Sequence, residues 1–253
     1  MALRLLRLIA LVAGAAGVSL FVAPPFVWLA LAPLAIVAGL GTNDVTRAWV
    51  GVELAEVVPS WLLPSLLAVA AALLLRLIAG EHPWLALTGV ALFAVAFGAL
   101  VVVQCVSLDP NDPRSPDARA AIDVIAYLVA FAAFSAIYGL RLRSAISATA
   151  VSVIAGLLMA EVLRPKEVDK QRLWRYAGVV GLCVGELAWA LNYWPIGGLL
   201  GGVYLLLAFY LFAGLAQHHL AGTLDRKILG EYGGIAALGF AVILGASYWI
   251  APR

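Results

Sequence analysis

Apolar residues fall in long continuous runs along this chain, and polar residues gather in the short stretches between them. Nine runs approach the roughly 20 residues that a helix needs to cross a hydrocarbon layer about 30 Å thick. They cover approximately 5–23, 26–42, 60–79, 84–106, 120–140, 145–163, 175–193, 197–216 and 232–250. The runs do not alternate and are about twice as long as a barrel strand, so they predict helices. The pattern therefore predicts an all-α, polytopic integral membrane bundle of about nine transmembrane helices. It forms one transmembrane domain over residues 1–253, because polar connectors of at most about fifteen residues leave no room for a second, soluble domain.

Composition agrees with the pattern. Of 253 residues, 64% are hydrophobic and 12% are charged, whereas soluble domains are nearer half apolar and about a quarter charged. The mean hydropathy is +1.03. Collagen-like, disordered and disulfide-stapled classes are excluded, since the 24 Gly and 12 Pro follow no period and only two Cys are present. The net charge of +2 is spread between apolar runs and forms no basic face, so nucleic acid is not an expected partner. Cys105 and Cys183 belong to no CxxC or Cys/His set and read as small apolar packing residues.

Charge placement gives an orientation. With the N-terminus cytoplasmic, one side collects Arg4, Arg7, Arg47, Arg114, Arg119, Arg164, Lys166, Lys170, Arg172, Arg175, Arg226 and Lys227. The other collects Arg76, Arg141, Arg143 and Arg253, so the ratio is twelve to four and follows the positive-inside rule for a cell-membrane protein. Arg4 and Arg7 before an apolar stretch resemble a secretory signal, but the stretch continues to Val22, which favours an uncleaved first span. Ala23-Pro24-Pro25 closes a tight turn into the second.

Two connectors are longer. Residues 43–58 are too polar to span, and Trp49 with Glu53 and Glu56 suits a short interfacial helix. Residues 107–118 resemble a calcium loop in acidic spacing, but Pro113 and Arg114 stand where an EF-hand needs a ligand and a glycine; Asp117 as a helix N-cap explains the same residues. No internal repeat is visible.

No phosphate-loop, dinucleotide, zincin or serine-hydrolase signature occurs, and three His in total leave no multi-histidine metal centre. No cofactor is implied. Attention therefore moves to polar groups inside apolar runs, which are costly there. Glu186 lies near the middle of the seventh run, with Trp189 and Tyr193 on its face and Asn192 to one side. It reads as a packing carboxyl or as a titrating, substrate-orienting group walled by aromatics. Small-residue pairs Gly181/Gly185, Gly197/Gly201 and Gly198/Gly202 allow close approach of the seventh and eighth spans, with Tyr204 and Tyr210 brought toward Glu186. Tyr210 and Gln217 share a face of the eighth span, while His218 and His219 diverge by about 100° and cannot chelate one metal as i, i+4 pairs do. Glu231 opens the ninth span on the same side, where with the basic 164–175 block it suits an anionic headgroup. Tyr127, Phe131, Phe134 and Tyr138 form a packing stripe; Asp123 reads as interfacial, and Arg76 and Glu161 as end residues that snorkel.

The run Gly185-Glu186-Leu187-Ala188-Trp189-Ala190-Leu191-Asn192-Tyr193-Trp194-Pro195, followed by Gln217-His218-His219-Leu220 and Glu231-Tyr232, resembles a bacterial multi-pass membrane protein family of unknown function over roughly the last third of the chain. The resemblance implies no activity. The functional expectation is a permease-like or lipid- or small-molecule-binding membrane protein with a polar site between the seventh, eighth and ninth helices. The alternative is a non-catalytic scaffold or complex subunit, joined to copies or partners through glycine-rich faces. A membrane enzyme acting on a lipid or isoprenoid comes third.

Overall fold

A computed structural model of the chain describes residues 2–23, 26–50, 61–81, 83–109, 112–164, 169–194 and 196–250. Among them are nine helices and no strand: α1 (Ala2–Ser19), α2 (Val27–Val50), α3 (Leu62–Glu81), α4 (Pro83–Leu108), α5 (Ser115–Gly139), α6 (Ser144–Leu163), α7 (Lys170–Leu191), α8 (Gly198–Leu220) and α9 (Arg226–Ile250). Eight of these are long and apolar enough to cross a membrane, which makes the architecture that of a multi-pass helical membrane protein. The helix outside that set is α7, the seventh expected span, because it starts on Lys170, Arg172 and Arg175 and also carries Glu186.

Several helices outrun their apolar stretches. Residues 43–50, expected in an interfacial segment, continue α2. Their polarity is absorbed locally: Thr42 and Thr46 hydroxyls donate to the Ala38 and Thr42 carbonyls of the same helix (2.7 and 2.8 Å). Glu53 and Glu56 lie outside the described residues, as do Pro24, Pro25 and Lys166. Helix α5 starts at Ser115, which puts Asp117 in the first turn instead of at the N-cap. An acid there still meets the positive helix end.

The chain divides into two compact units, residues 1–129 and 130–253, with the division inside α5. In the first, α1 and α3 both pack on α2 and α4. Arg76 of α3 does not snorkel outward. Its guanidinium donates to the Ser19 and Val22 carbonyls (2.5 and 2.8 Å) at the end of α1, satisfying acceptors that a helix terminus leaves open. Ser65 of α3 likewise donates to the Ala35 carbonyl of α2 (2.9 Å), at a point where Gly39 leaves space for it. Cys105 is a buried free thiol 4.0 Å from the Thr46 hydroxyl.

In the second unit, α6 and α7 lie against each other along a seam of small residues. A Cβ on Gly181 would stand 2.6 Å from the Ser152 carbonyl, and one on Gly185 2.6 Å from the Ser152 Cβ. Gly156, on the opposite helix, faces the Ala177 carbonyl in the same way. The seam is tied at one end by Asn192, whose amide donates to the Ser147 hydroxyl (2.9 Å). Near the other end of α6 the fully buried Glu161 meets Arg164 at 2.5 Å, so this carboxylate is paired inside the protein instead of snorkelling. The glycines at the start of α8 face α5, not α7 as expected, although α7 and α8 are neighbours. Gly198 abuts Gly139, Gly202 abuts Ser135, and Gly201 abuts the Tyr138 ring. Phe134 of the predicted aromatic stripe meets Phe209 edge-on (6.1 Å). The Tyr138 hydroxyl reaches the Leu191 and Trp194 carbonyls (3.0 and 2.8 Å), and the Arg141 guanidinium lies 4.8 Å from the Tyr138 ring and donates to the Ile196 carbonyl.

The seam yields an internally controlled test. Gly181→Ala forces a methyl into the Ser152 backbone and should cost about 1–3 kcal/mol. Gly178→Ala, three residues earlier on the same helix, meets nothing within 4 Å and should be neutral or slightly stabilising. Thermal unfolding of the two variants in one detergent reads the difference directly.

Candidate functional site

Helix α9 has no glycine seam with α8. Among its described residues only Ile243 is buried. It touches α8 closely at two places: the Tyr232 ring enters the notch left by Gly214, and Leu207 of α8 enters the one left by Gly239. Between them the α9 face carries Gly233, Ala236 and Ala237, too small to fill the space to Ala208, Leu211 and Leu215 of α8. The result is a groove of about 510 Å³, open along one side and floored by Leu187 of α7. It lies within the roughly 300–1,000 Å³ common for small-molecule sites.

Each end of the groove is an aromatic cluster. At one end Phe240 lies between Trp194 and Tyr204, with ring centroids at 6.2 and 6.3 Å. At the other, Tyr232 stacks on Tyr210 (5.9 Å, 22° between planes) and takes the His218 ring edge-on (5.8 Å, 76°). The groove wall runs from Tyr204 to Leu215 on α8 and from Leu229 to Phe240 on α9. Twelve residues on each helix, separated by eleven rises of 1.5 Å, make it about 16 Å long.

A helix stop sets the Tyr232 end. Gly222 has φ +67°, the left-handed conformation a side chain resists. The Thr223 N–H donates to the His218 carbonyl (3.0 Å) and the Gly222 N–H to that of His219 (3.1 Å), the paired bonds of a Schellman cap. The cap returns the Thr223 hydroxyl to His218 Nδ1 (3.0 Å), which holds the ring against Tyr232. His219, one residue on, rests on Tyr176 of α7 (6.0 Å). Asp225 then starts α9 by accepting the Ile228 N–H (2.8 Å), so its carboxylate is engaged as an N-cap.

The residues singled out by sequence fall into two groups. Tyr210 and His218 meet at the Tyr232 cluster, His219 beside it; Gln217 is half-buried on α8 one residue before His218. Glu231 is exposed next to Tyr232 and pairs with Lys227 (4.0 Å). The others are elsewhere. Glu186 and Trp189 share one face of α7 and Tyr193 lies just past its end, but all three are exposed, and Leu187 is what α7 contributes to the groove. Glu186 also stands only five residues from the end of α7, about 8 Å along its axis, and not at its middle. That position, beside Trp189 and Tyr193, matches an interfacial aromatic belt. Asn192 is used in the Ser147 bond. Leu229, Gly233, Ala236 and Phe240 were not singled out; their signal is a helical-period stripe of small and aromatic residues on α9. Among the described residues no group of His, Cys, Asp and Glu has a metal-binding arrangement.

A family model described as "Protein of unknown function (DUF5656)" matches residues 7–246, nearly the whole chain and not only its last third. No curated protein and no solved structure matches.

Two substitutions test this geometry. Glu186→Gln on the exposed face should change unfolding free energy by no more than about 0.5 kcal/mol. Gly222→Ala forces a left-handed side chain at the cap and should cost about 1–2 kcal/mol. Thermal unfolding in detergent measures both; equal losses would contradict the placement of Glu186.

Proposed function

We propose, for a chain that belongs to this family of unknown function, that it is a lipid-binding membrane protein whose α8–α9 groove takes one apolar chain of a membrane lipid. The observation that carries the reading is a match of length and polarity. A groove of about 16 Å corresponds to one leaflet of a hydrocarbon core about 30 Å thick. Its wall is aliphatic and aromatic along that length, with one tyrosine toward each end, Tyr204 and Tyr232, and an imidazole, that of His218, beside Tyr232 only. One end is thereby marked for a polar headgroup, with an apolar wall of one leaflet's depth beyond it for the chain. The small residues Gly233, Ala236 and Ala237 supply the width.

The groove is open on one side, so a chain enters laterally from the bilayer and need not cross water. On the distribution of Lys and Arg, the His218 end faces the cytoplasm across the cell membrane. No reacting group is assigned to the site; holding or presenting a lipid is the function.

Filling the groove tests this. Ala236→Trp places an indole where the chain would lie, whereas Ala241→Trp adds the same bulk to an exposed position of α9 that does not line the groove. Full-length protein purified in mild detergent should retain lipid, quantified by extraction and mass spectrometry. Ala236→Trp should lose most of it, and with it the stabilisation that added lipid gives against heat. Equal retention by both variants would overturn the reading.

A further inference from the structure

We propose that the lipid taken by this groove is anionic, and that Arg226 with His219 at the groove's rim receives its phosphate. The inference rests on the lipid-binding reading above and adds the headgroup class to it.

The argument starts from helical register. On α9 the groove is lined by Leu229, Gly233, Ala236 and Phe240. Arg226 lies three residues before Leu229 and continues that stripe past the groove's end. On α8 the lining residues Tyr204, Ala208, Leu211 and Leu215 are continued by His218 and His219. The extension of both walls is therefore a guanidinium on one side and imidazoles on the other, and His218 ties it to the groove by meeting Tyr232, itself a lining residue.

The acidic residues at this rim are already engaged. Asp225 caps the Ile228 N–H, and Glu231 sits 4.0 Å from Lys227. Arg226 has no ion pair among the described residues, although it is exposed beside both. The His218 ring is held by Thr223 and Tyr232; exposed His219 rests against Tyr176 but makes no hydrogen bond among the described residues, so its ring nitrogens are open to a ligand. A guanidinium matches a phosphate through two parallel N–H donors, an arrangement that an ammonium does not reproduce. A zwitterionic headgroup would bring its own ammonium toward Arg226; an anionic glycerol headgroup brings none. Charge complementarity thus selects the anionic class. The opposite end of the groove, at Trp194, Tyr204 and Phe240, offers aromatic rings and no cation on its wall.

The test uses the full-length chain in nanodiscs of phosphatidylcholine, phosphatidylglycerol or an equal mixture, with bound lipid measured by mass spectrometry after transfer to mild detergent. From the mixture the protein should retain phosphatidylglycerol over phosphatidylcholine. Arg226→Gln should reduce that preference roughly fivefold, the effect of one cationic side chain near an anionic surface. Arg226→Lys should recover part of it. Arg175→Gln serves as the control, because Arg175 is exposed on the Glu186 face of α7, away from the groove. If Arg175→Gln lowers the preference as much as Arg226→Gln, the selectivity belongs to general surface charge and the proposal fails. Equal retention of both lipids by the unmodified protein also overturns it, while leaving the groove as a lipid site. Loss of neither lipid in Ala236→Trp removes the groove reading itself, so the two failures are distinguishable.

Discussion

Removing side chains from one strip of a helix lets a second backbone lie directly against it, and Gly156, Gly181 and Gly185 do this between α6 and α7. Close approach matters more in a membrane than in water. Lipid tails are as apolar as leucine, so helix association there depends on van der Waals contact and hydrogen bonding. Once α7 is fixed to α6, and α8 to α5 by Gly198 and Gly202, the second unit has a rigid face. Helix α9 is added to that face without a seam of its own. A tyrosine in one glycine notch and a leucine in another hold it, and the interval between them is left unfilled. The groove follows from two different kinds of helix contact in one unit.

Polar side chains serve the same architecture. Arg76 completes the carbonyl end of α1, and Ser65 reaches across to α2. Asn192 joins α7 to α6, and Tyr138 with Arg141 fastens the turn before α6 to the residues that follow α7. Arg76, Tyr138 and Arg141 satisfy carbonyls at or beyond helix ends, and Ser65 and Asn192 add a bond between neighbouring helices. The buried pair Glu161 and Arg164 extends the pattern to charges.

Most of the fold was legible because transmembrane helices are written as length and apolarity, which need no knowledge of tertiary contacts. The helix ends were less so. Thr42 and Thr46 look like the end of a span, yet they bond their own helix and α2 continues through them. Arg226 to Gly230 read as a connector, but Asp225 caps a helix that begins there. The site was half legible. Tyr210 and His218 fall at one end of the groove with Glu231 beside them, because polar residues in apolar runs are visible one at a time. Glu186 drew attention for the same reason and lies on another face. The groove itself is a deficit of side-chain volume at Gly233, Ala236 and Ala237 opposite Ala208. A deficit of volume becomes a cavity only when the facing helix is known, and no single-residue signal reports it.

Under the lipid-binding proposal, the open side of the groove changes what affinity means for this protein. A ligand entering from water gains free energy from every apolar carbon it buries. A chain entering from the bilayer exchanges one hydrocarbon environment for another and gains little from burial. Its competitor is the surrounding lipid, present at the concentration of a solvent. Occupancy is then a solvent-exchange equilibrium, decided by how the walls fit the chain and by what waits for the headgroup at the rim. A lipid site of the proposed kind would discriminate among lipids without binding any of them tightly.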